Sequence, residues 1–289
     1  MRASKPSFPA KSKLRRMRWQ HVQHVGGILV LALGGGLASP LPWAMAHPAD
    51  AGQRLKQAYP DHISAVEGNA IIMRDGTRLI IDDGRGQKSP EVVLADPDLE
   101  DIFTYPYASG TAGMPPAPGA DPGRARPKAL FDKIYGDCRR GEVTGQLEAV
   151  PWLPKRSRQR IHVTRINGVA DRLRAVSNEL DRLPRSYDAY LLPAAGGYAC
   201  RTIDGTDRMS AHGYGIAIDI ALKHADYWRW PDTANGSATP WRNRIPIEIV
   251  RIFERHGFIW GGKWDHFDTM HFEYRPEMLL PHIKAPRLP

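Results

Sequence analysis

Apolar residues recur at helical spacing in one stretch of the chain. They lie three or four positions apart, at Val169, Leu173, Val176, Leu180 and Leu183. This spacing places them on one face of a helix, so an amphipathic helix is predicted from Val169 to Leu183. A second helix is predicted from Pro246 to His256, because proline is favoured at the first helical position and Gly257 follows the predicted end.

Shorter apolar runs predict strands. Between Gly215 and Leu222 the isoleucines alternate with other residues, which places Ala217 and Asp219 together on the opposite face. Further strands are predicted at 160–166, 187–193 and 269–274, with a hairpin of 70–74 and 77–82 around an Asp75-Gly76 turn. Helices and strands mix without a regular βαβ repeat, so the predicted fold class is α+β.

The first 46 residues have the composition of an export signal. A basic stretch runs to Arg18, an apolar run follows from Val25 to Ala38, and Ala44-Met45-Ala46 has the small-residue pattern of a cleavage site. The apolar run has about 14 residues, which is short for a membrane span. Cleavage after Ala46, a periplasmic location and no stable membrane insertion are therefore predicted. An uncleaved anchor is the alternative, and the export route stays open.

The charge of the chain argues against a nucleic-acid partner. The formal net charge is +9, but seven basic residues lie at or before Arg18 and no acidic residue precedes Asp50. Subtracting these seven from +9 leaves +2 for the remainder. The excess charge therefore belongs to the predicted signal, and no nucleic acid is expected as a partner.

Composition also suggests domain boundaries. Residues 47–107 form a predicted small N-terminal region, 108–128 a predicted linker rich in Pro, Gly and Ala, and 129–289 the predicted main domain. The two cysteines, Cys138 and Cys200, can form one disulfide in an oxidising compartment. Two free buried cysteines are the alternative.

Two clusters combine imidazole and carboxylate groups. The first contains His212 and Asp219, where the carboxylate projects from a strand face otherwise occupied by alanines. The second is Trp264-Asp265-His266-Phe267-Asp268-Thr269-Met270-His271-Phe272-Glu273. Nitrogen and oxygen ligands of this kind suit zinc, and a catalytic zinc site keeps three protein ligands with one position open for water.

The arrangement of these residues resembles a known family. Ser210-x-His212-x-x-Gly215-x-Ala217-x-Asp219 matches the S-x-H-x-x-G-x-A-x-D signature of the zinc D-Ala-D-Ala carboxypeptidases and L-alanyl-D-glutamate peptidases, and Asp268-x-x-His271 matches their second motif. The segment Gly197–Arg201 resembles the one that carries their active-site arginine. The resemblance covers roughly Tyr187 to Tyr274 and implies a small antiparallel sheet with flanking helices, similar to hedgehog and DD-peptidase domains.

The resemblance also implies roles for single residues. His212, Asp219 and His271 would bind Zn²⁺, Asp268 would be the general base, and Arg201 would stabilise the oxyanion. Contacts with the substrate are expected from Ser210, Tyr214 and Trp264. The implied function is hydrolysis of peptide bonds in peptidoglycan stem peptides, of the D,D-carboxypeptidase or the L-Ala-D-Glu endopeptidase type.

Several alternatives remain at this stage. Asp268 and His271 are three residues apart, which places them on opposite faces of a regular strand unless Asp268 lies in the turn before it. Glu273 is an alternative base, and His266 is an alternative ligand. A zinc-containing module that binds the cell wall without catalysis is the alternative function, and a purely structural domain with ordinary histidines is a third. The oligomeric state cannot be predicted.

Overall fold

A computed structural model describes residues 48–230 and 239–280 of the chain. The predicted signal peptide, 1–46, lies outside the described residues. The helices are α1 Pro48–Ala58, α2 Pro90–Ala95, α3 Lys128–Tyr135, α4 Val169–Leu180, α5 Asp188–Leu191, α6 Ile247–Arg255 and α7 Pro276–Leu279. Within the described part of the chain, none of them is long and apolar enough to cross a membrane.

The strands form three small antiparallel sheets. They are β1 Ile63–Val66, β2 Ala70–Met73, β3 Arg78–Ile80, β4 Leu147–Pro151, β5 Arg160–Thr164, β6 Ala217–Asp219, β7 Phe258–Trp260 and β8 His271–Tyr274. β1, β2 and β3 pair in chain order, β4 pairs with β5, and the third sheet has the order β6-β8-β7. The α+β class with small antiparallel sheets and flanking helices is therefore confirmed.

The β6-β8-β7 sheet positions the two motifs beside each other. In the register of β6 and β8, Asp219 lies opposite His271 and Ile218 lies opposite Phe272. Phe272 is fully buried, and its ring stacks on Phe253 of α6 at a centroid distance of 3.8 Å. One face of the sheet is therefore packed against a helix, which leaves the other face for polar side chains.

Several predicted elements differ from the structure. The helix predicted to reach Leu183 ends at Leu180, and Pro246 is the residue before α6 rather than its first residue. The strand predicted at 187–193 is wrong, because Asp188–Leu191 is one helical turn. A short apolar run does not distinguish a strand from a buried helical turn by its periodicity.

The N-terminal hairpin forms with a different turn from the predicted one. Of the two turn residues, only Gly76 has a positive φ, +83°, and Met73 donates its N–H to the carbonyl of Thr77. The Asp75 side chain accepts a hydrogen bond from the N–H of Thr77 at 3.0 Å. The loop therefore has three residues with glycine in the left-handed position, not two residues that both have positive φ.

Residues 119–126 lie against the segment that carries the second motif. The N–H of Gly119 donates to Asp265, Asp265 donates from its own N–H to Ala120, and the indole of Trp264 donates to the carbonyl of Pro122. Gly123 has a φ of +81°, and a Cβ there would lie 2.4 Å from Ile259 Cδ1, so glycine is required at this position. The predicted boundaries of the linker and of the domains remain a prediction.

A covalent bond also joins distant parts of the chain. Cys138 and Cys200, 62 residues apart, form a disulfide. It connects the residues that follow α3 to the loop that carries Arg201. The backbone directly before that arginine is therefore tethered to the segment that follows α3.

Candidate metal centre

Three side chains from the two motifs converge on one point. His212 Nε2 lies 3.2 Å from His271 Nδ1 and 3.2 Å from Asp219 Oδ2, and His271 Nδ1 lies 3.0 Å from Asp219 Oδ1. A tetrahedral zinc ion with ligands at about 2.0–2.1 Å has edges of about 3.3 Å between ligand atoms. The distances and the chemistry of the donors therefore fit a zinc ion.

Local backbone geometry brings His212 to this point. It lies in a 3₁₀ turn, Ala211–Tyr214, whose preceding residue Ser210 accepts a hydrogen bond from the N–H of His212 at 3.3 Å. The turn ends at Gly215, whose φ is +70° and where a Cβ would lie 2.9 Å from the backbone nitrogen of Thr164. Glycine at this position allows the chain to enter β6 directly, with Asp219 at its end.

The remaining nitrogen of each imidazole has a fixed partner. His212 Nδ1 donates to the carbonyl of Gly197 at 2.6 Å, and His271 Nε2 lies 3.1 Å from Glu273 Oε2. A carbonyl and a carboxylate accept hydrogen bonds, so these contacts keep protons on His212 Nδ1 and His271 Nε2 and leave His212 Nε2 and His271 Nδ1 to face the candidate metal position. Partners of this kind orient metal-binding histidines and raise their basicity.

The charges around this point influence one another strongly. Burial alone would raise the pKa of Asp219, but the adjacent His212 and His271 outweigh it and hold that pKa well below its usual range. Burial lowers the pKa of His271, while hydrogen bonds to Asp219 and Glu273 outweigh this and raise it to about 10. The carboxylate ligand is therefore ionised, and the site attracts positive charge.

Asp268 lies next to these ligands, in the loop that enters β8. It precedes the turn at Thr269 and Met270, and its carbonyl accepts a hydrogen bond from the N–H of His271 at 3.1 Å. This position removes the conflict with strand geometry. Burial and the negative charge of Asp219 raise the pKa of Asp268 to about 6. Its Oδ1 is buried and has no hydrogen-bond partner among the described residues. Asp268 is thus a carboxyl group able to exchange a proton near neutral pH.

The ligand atoms open onto a cleft of about 290 Å³. The residues that line it include seven predicted from the sequence: Arg201, Ser210, His212, Asp219, Trp264, Asp268 and His271. The structure does not bring Tyr214 to this cleft. Its ring lies between Phe131 and Tyr135, and its hydroxyl donates to Asp132 at 3.0 Å.

The structure bears on the two alternatives for single residues. Glu273 is fully buried and contacts Arg126, Arg275 and His271, so its position favours orienting His271 over acting as a base. His266 lines the cleft, but its Nδ1 lies 2.7 Å from Asp121, and the three converging ligand atoms come from other residues.

Sequence reasoning missed the contribution of residues 119–126 to the cleft. Arg124 and Arg126 line it, and the buried Asp121 orients His266. The proline and glycine content of this stretch predicts a linker. The signal present in the sequence was the charge of Asp121, Arg124 and Arg126 within an otherwise uncharged stretch.

The part of the chain that contains the two motifs is similar to known proteins. A family model described as D-alanyl-D-alanine carboxypeptidase matches residues 204–274. The peptidoglycan L-alanyl-D-glutamate endopeptidase CwlK of Bacillus subtilis (strain 168) is 38% identical over 73 residues, which cover 23% of this chain and 40% of CwlK. The chain therefore matches less than half of the length of this curated relative. These matches confirm the resemblance predicted from the motifs, and the family model covers both motifs but begins after Arg201.

Proposed function

Starting from this family resemblance, we propose that the chain is an exported zinc metallopeptidase that hydrolyses peptide bonds in peptidoglycan stem peptides. The observation that supports it best is the convergence of three ligand atoms, from His212, Asp219 and His271, beside the carboxyl group of Asp268 and at the base of an open cleft. A purely structural site requires neither an open cleft nor a free carboxyl group.

The proposed metal-binding residues are His212 through Nε2, His271 through Nδ1, and Asp219. When bound there, zinc supplies a water molecule of lowered pKa and polarises the scissile carbonyl. The imidazole rings of His212 and His271 are already oriented. The second nitrogen of His212 contacts the carbonyl of Gly197, and that of His271 contacts Glu273. Little reorganisation is therefore needed when the metal binds.

Asp268 and Arg201 complete the proposed chemistry. Asp268 accepts a proton from the attacking water on its carboxylate and then transfers it to the leaving amine. Burial and the neighbouring Asp219 raise the pKa of Asp268, which makes it a better proton acceptor than an exposed aspartate. Arg201 donates hydrogen bonds to the oxygen that becomes negatively charged, and Ser210 and Trp264 contact the substrate.

The peptide bond that the enzyme hydrolyses is proposed to be one of two types. The matched family model is described as a carboxypeptidase, and the matched relative as an endopeptidase. We propose hydrolysis of either the terminal D-Ala–D-Ala bond or the L-Ala–D-Glu bond. The location proposed is the periplasm, after cleavage of the signal peptide, because the substrate lies outside the inner membrane. Peptidoglycan peptides are the proposed partner, with no role for nucleic acid.

The test is an Asp268→Ala variant incubated with purified peptidoglycan. We expect the variant to bind zinc like the wild type and to release new amine groups about 10²–10⁴ times more slowly, since general-base catalysis contributes about that factor. Asp171→Ala, which removes an exposed carboxylate on α4, is the matched control and should retain activity. Mass spectrometry of the released muropeptides would identify the bond.

Two results would contradict the proposal. Full activity in Asp268→Ala would exclude this residue as the base. Wild-type protein that binds zinc and peptidoglycan but releases no amine would instead support a wall-binding module without catalysis.

A further inference from the structure

One wall of the cleft carries more positive charge than the catalytic step uses. Besides Arg201, the cleft is lined by Arg124 and Arg126, which come from the 119–126 segment, outside the matched family region. Arg126 is paired with the buried carboxylate of Glu273. Arg124 differs, because much of its hydrogen-bonding capacity remains unused.

Arg124 is buried and held in place on two sides. Its Nη1 donates to Asp121 at 2.9 Å, and its guanidinium lies over the ring of Trp264, 5.4 Å from the centroid. Asp121 itself is only 4% exposed and is also bonded to His266. A guanidinium has five N–H donors, and only one of those of Arg124 is bonded within the described residues. An immobilised guanidinium with free donors in a cleft is suited to bind a carboxylate.

Arg208 adds a second positive charge near that of Arg124, although it is not one of the residues that line the cleft. It lies in the loop 202–209, where its carbonyl accepts a hydrogen bond from the N–H of Ile203, a residue that lines the cleft. Its side chain is half-buried and has neither an ion pair nor a hydrogen bond among the described residues. Burial, followed by the like charges of Arg124 and Arg126, lowers the pKa of Arg208 to about 10. Removing a charge from water next to like charges is costly unless an anion offsets it.

Both candidate substrates supply such an anion. In one, the residue that provides the leaving amine is a C-terminal D-alanine, and in the other it is D-glutamate. Each has a free carboxylate. We infer that Arg124 and Arg208 form a binding subsite for a carboxylate on the leaving residue of the substrate. This inference rests on the proposed function for the identity of the substrate, and it assigns the 119–126 segment a role in specificity.

The test compares ligands that differ only in this carboxylate. Zinc-loaded protein with the Asp268→Ala substitution would be titrated calorimetrically with N-acetyl-D-Ala-D-Ala and its C-terminal amide, and with N-acetyl-L-Ala-D-Glu γ-amide and the corresponding α,γ-diamide, which differ only at the α-carboxylate. For at least one pair, we expect the acid to bind about tenfold or more tightly than the amide, the usual order for a charge-assisted hydrogen bond.

Variants then test which residues cause the difference. Arg208→Gln in the same background should remove most of the preference for the acid and leave the affinity for the amide unchanged. Arg124→Gln should do the same, with folding verified by thermal unfolding because Arg124 is buried. Arg174→Gln, which removes a half-buried positive charge on α4, is the control and should keep the full preference.

The outcomes separate the subsite from the proposed activity. Equal binding of acid and amide, or an undiminished preference in Arg208→Gln, would overturn the subsite even if the wild type hydrolyses peptidoglycan. A preference for the acid that depends on Arg208 would support the subsite, whether or not the wild type cleaves either peptide. Failure of the wild type to cleave both peptides would count against the peptidase proposal alone.

Discussion

Replacing Glu273 with glutamine is the most direct test of what supports the candidate metal centre. Glu273 is fully buried in β8. It accepts hydrogen bonds from Arg126 Nε at 3.1 Å and Arg275 Nη1 at 2.9 Å, and its Oε2 lies 3.1 Å from His271 Nε2. Glutamine has nearly the same shape, so Glu273→Gln removes the charge with little change in volume.

The expected loss of stability follows from the partners that remain. Arg275 keeps its ion pair with Glu277, whereas Arg126 has no other carboxylate partner among the described residues. Removing one member of a buried ion pair costs about 3–5 kcal/mol. Burial by itself would raise the pKa of Glu273, but Arg126, the hydrogen bond from His271 and Arg275 outweigh it and hold that pKa well below its usual range. The stabilisation is therefore present at pH 7 and is lost as the pH falls through the lowered pKa.

The assay is urea unfolding at pH 7 in the presence of a chelator, followed by zinc titration of the folded protein. We expect Glu273→Gln to lower the free energy of unfolding by about 3–5 kcal/mol and to weaken zinc binding by about 10–100-fold, because His271 loses the group that orients it. The matched control is Glu148→Gln. Glu148 pairs with Arg174 at the surface, where an ion pair contributes about 0–1 kcal/mol.

Two results would refute this reasoning. If Glu273→Gln and Glu148→Gln lowered stability equally, the buried ion pair would not be a major source of stability. If stability fell while zinc affinity stayed the same, Glu273 would support the fold without orienting His271.

Two further predictions concern the stability of the fold. Replacing Cys138 and Cys200 together with alanine should lower the free energy of unfolding by about 4 kcal/mol, from the chain entropy of a 62-residue loop; a reductant should destabilise the wild type similarly and leave this variant unchanged. Burial, followed by the charges of Asp82 and Asp98, raises the pKa of Glu100 to about 7, so the stability associated with its protonated form is lost as the pH rises through that value. Glu100→Gln should therefore be more stable than the wild type at pH 8, with a difference that shrinks towards pH 4.5; equal urea midpoints at pH 8 would contradict this.

The sequence by itself predicted the parts of the protein that depend on local spacing. The α4 helix follows from five apolar residues at helical intervals, and its predicted start at Val169 is the observed one. The signature from Ser210 to Asp219 has every fixed position within ten residues, so the turn, the glycine and the strand that it requires are encoded locally. Periodicity was insufficient at 187–193, where the apolar run is too short to separate a strand from a helical turn.

Only the tertiary structure decided which distant groups meet. The pairing of β6 with β8 places Asp219 opposite His271. The two residues are 52 positions apart in the sequence, and that separation does not by itself specify that they meet. The same packing buries Glu273 between two arginines, and it brings Arg124 into the cleft from a stretch whose composition predicts a linker. Local patterns reflect backbone preferences within a few residues, whereas these contacts depend on how whole elements pack. The sequence therefore determined the chemistry of the candidate ligands, and the fold determined which residues orient them and which line the charged wall of the cleft.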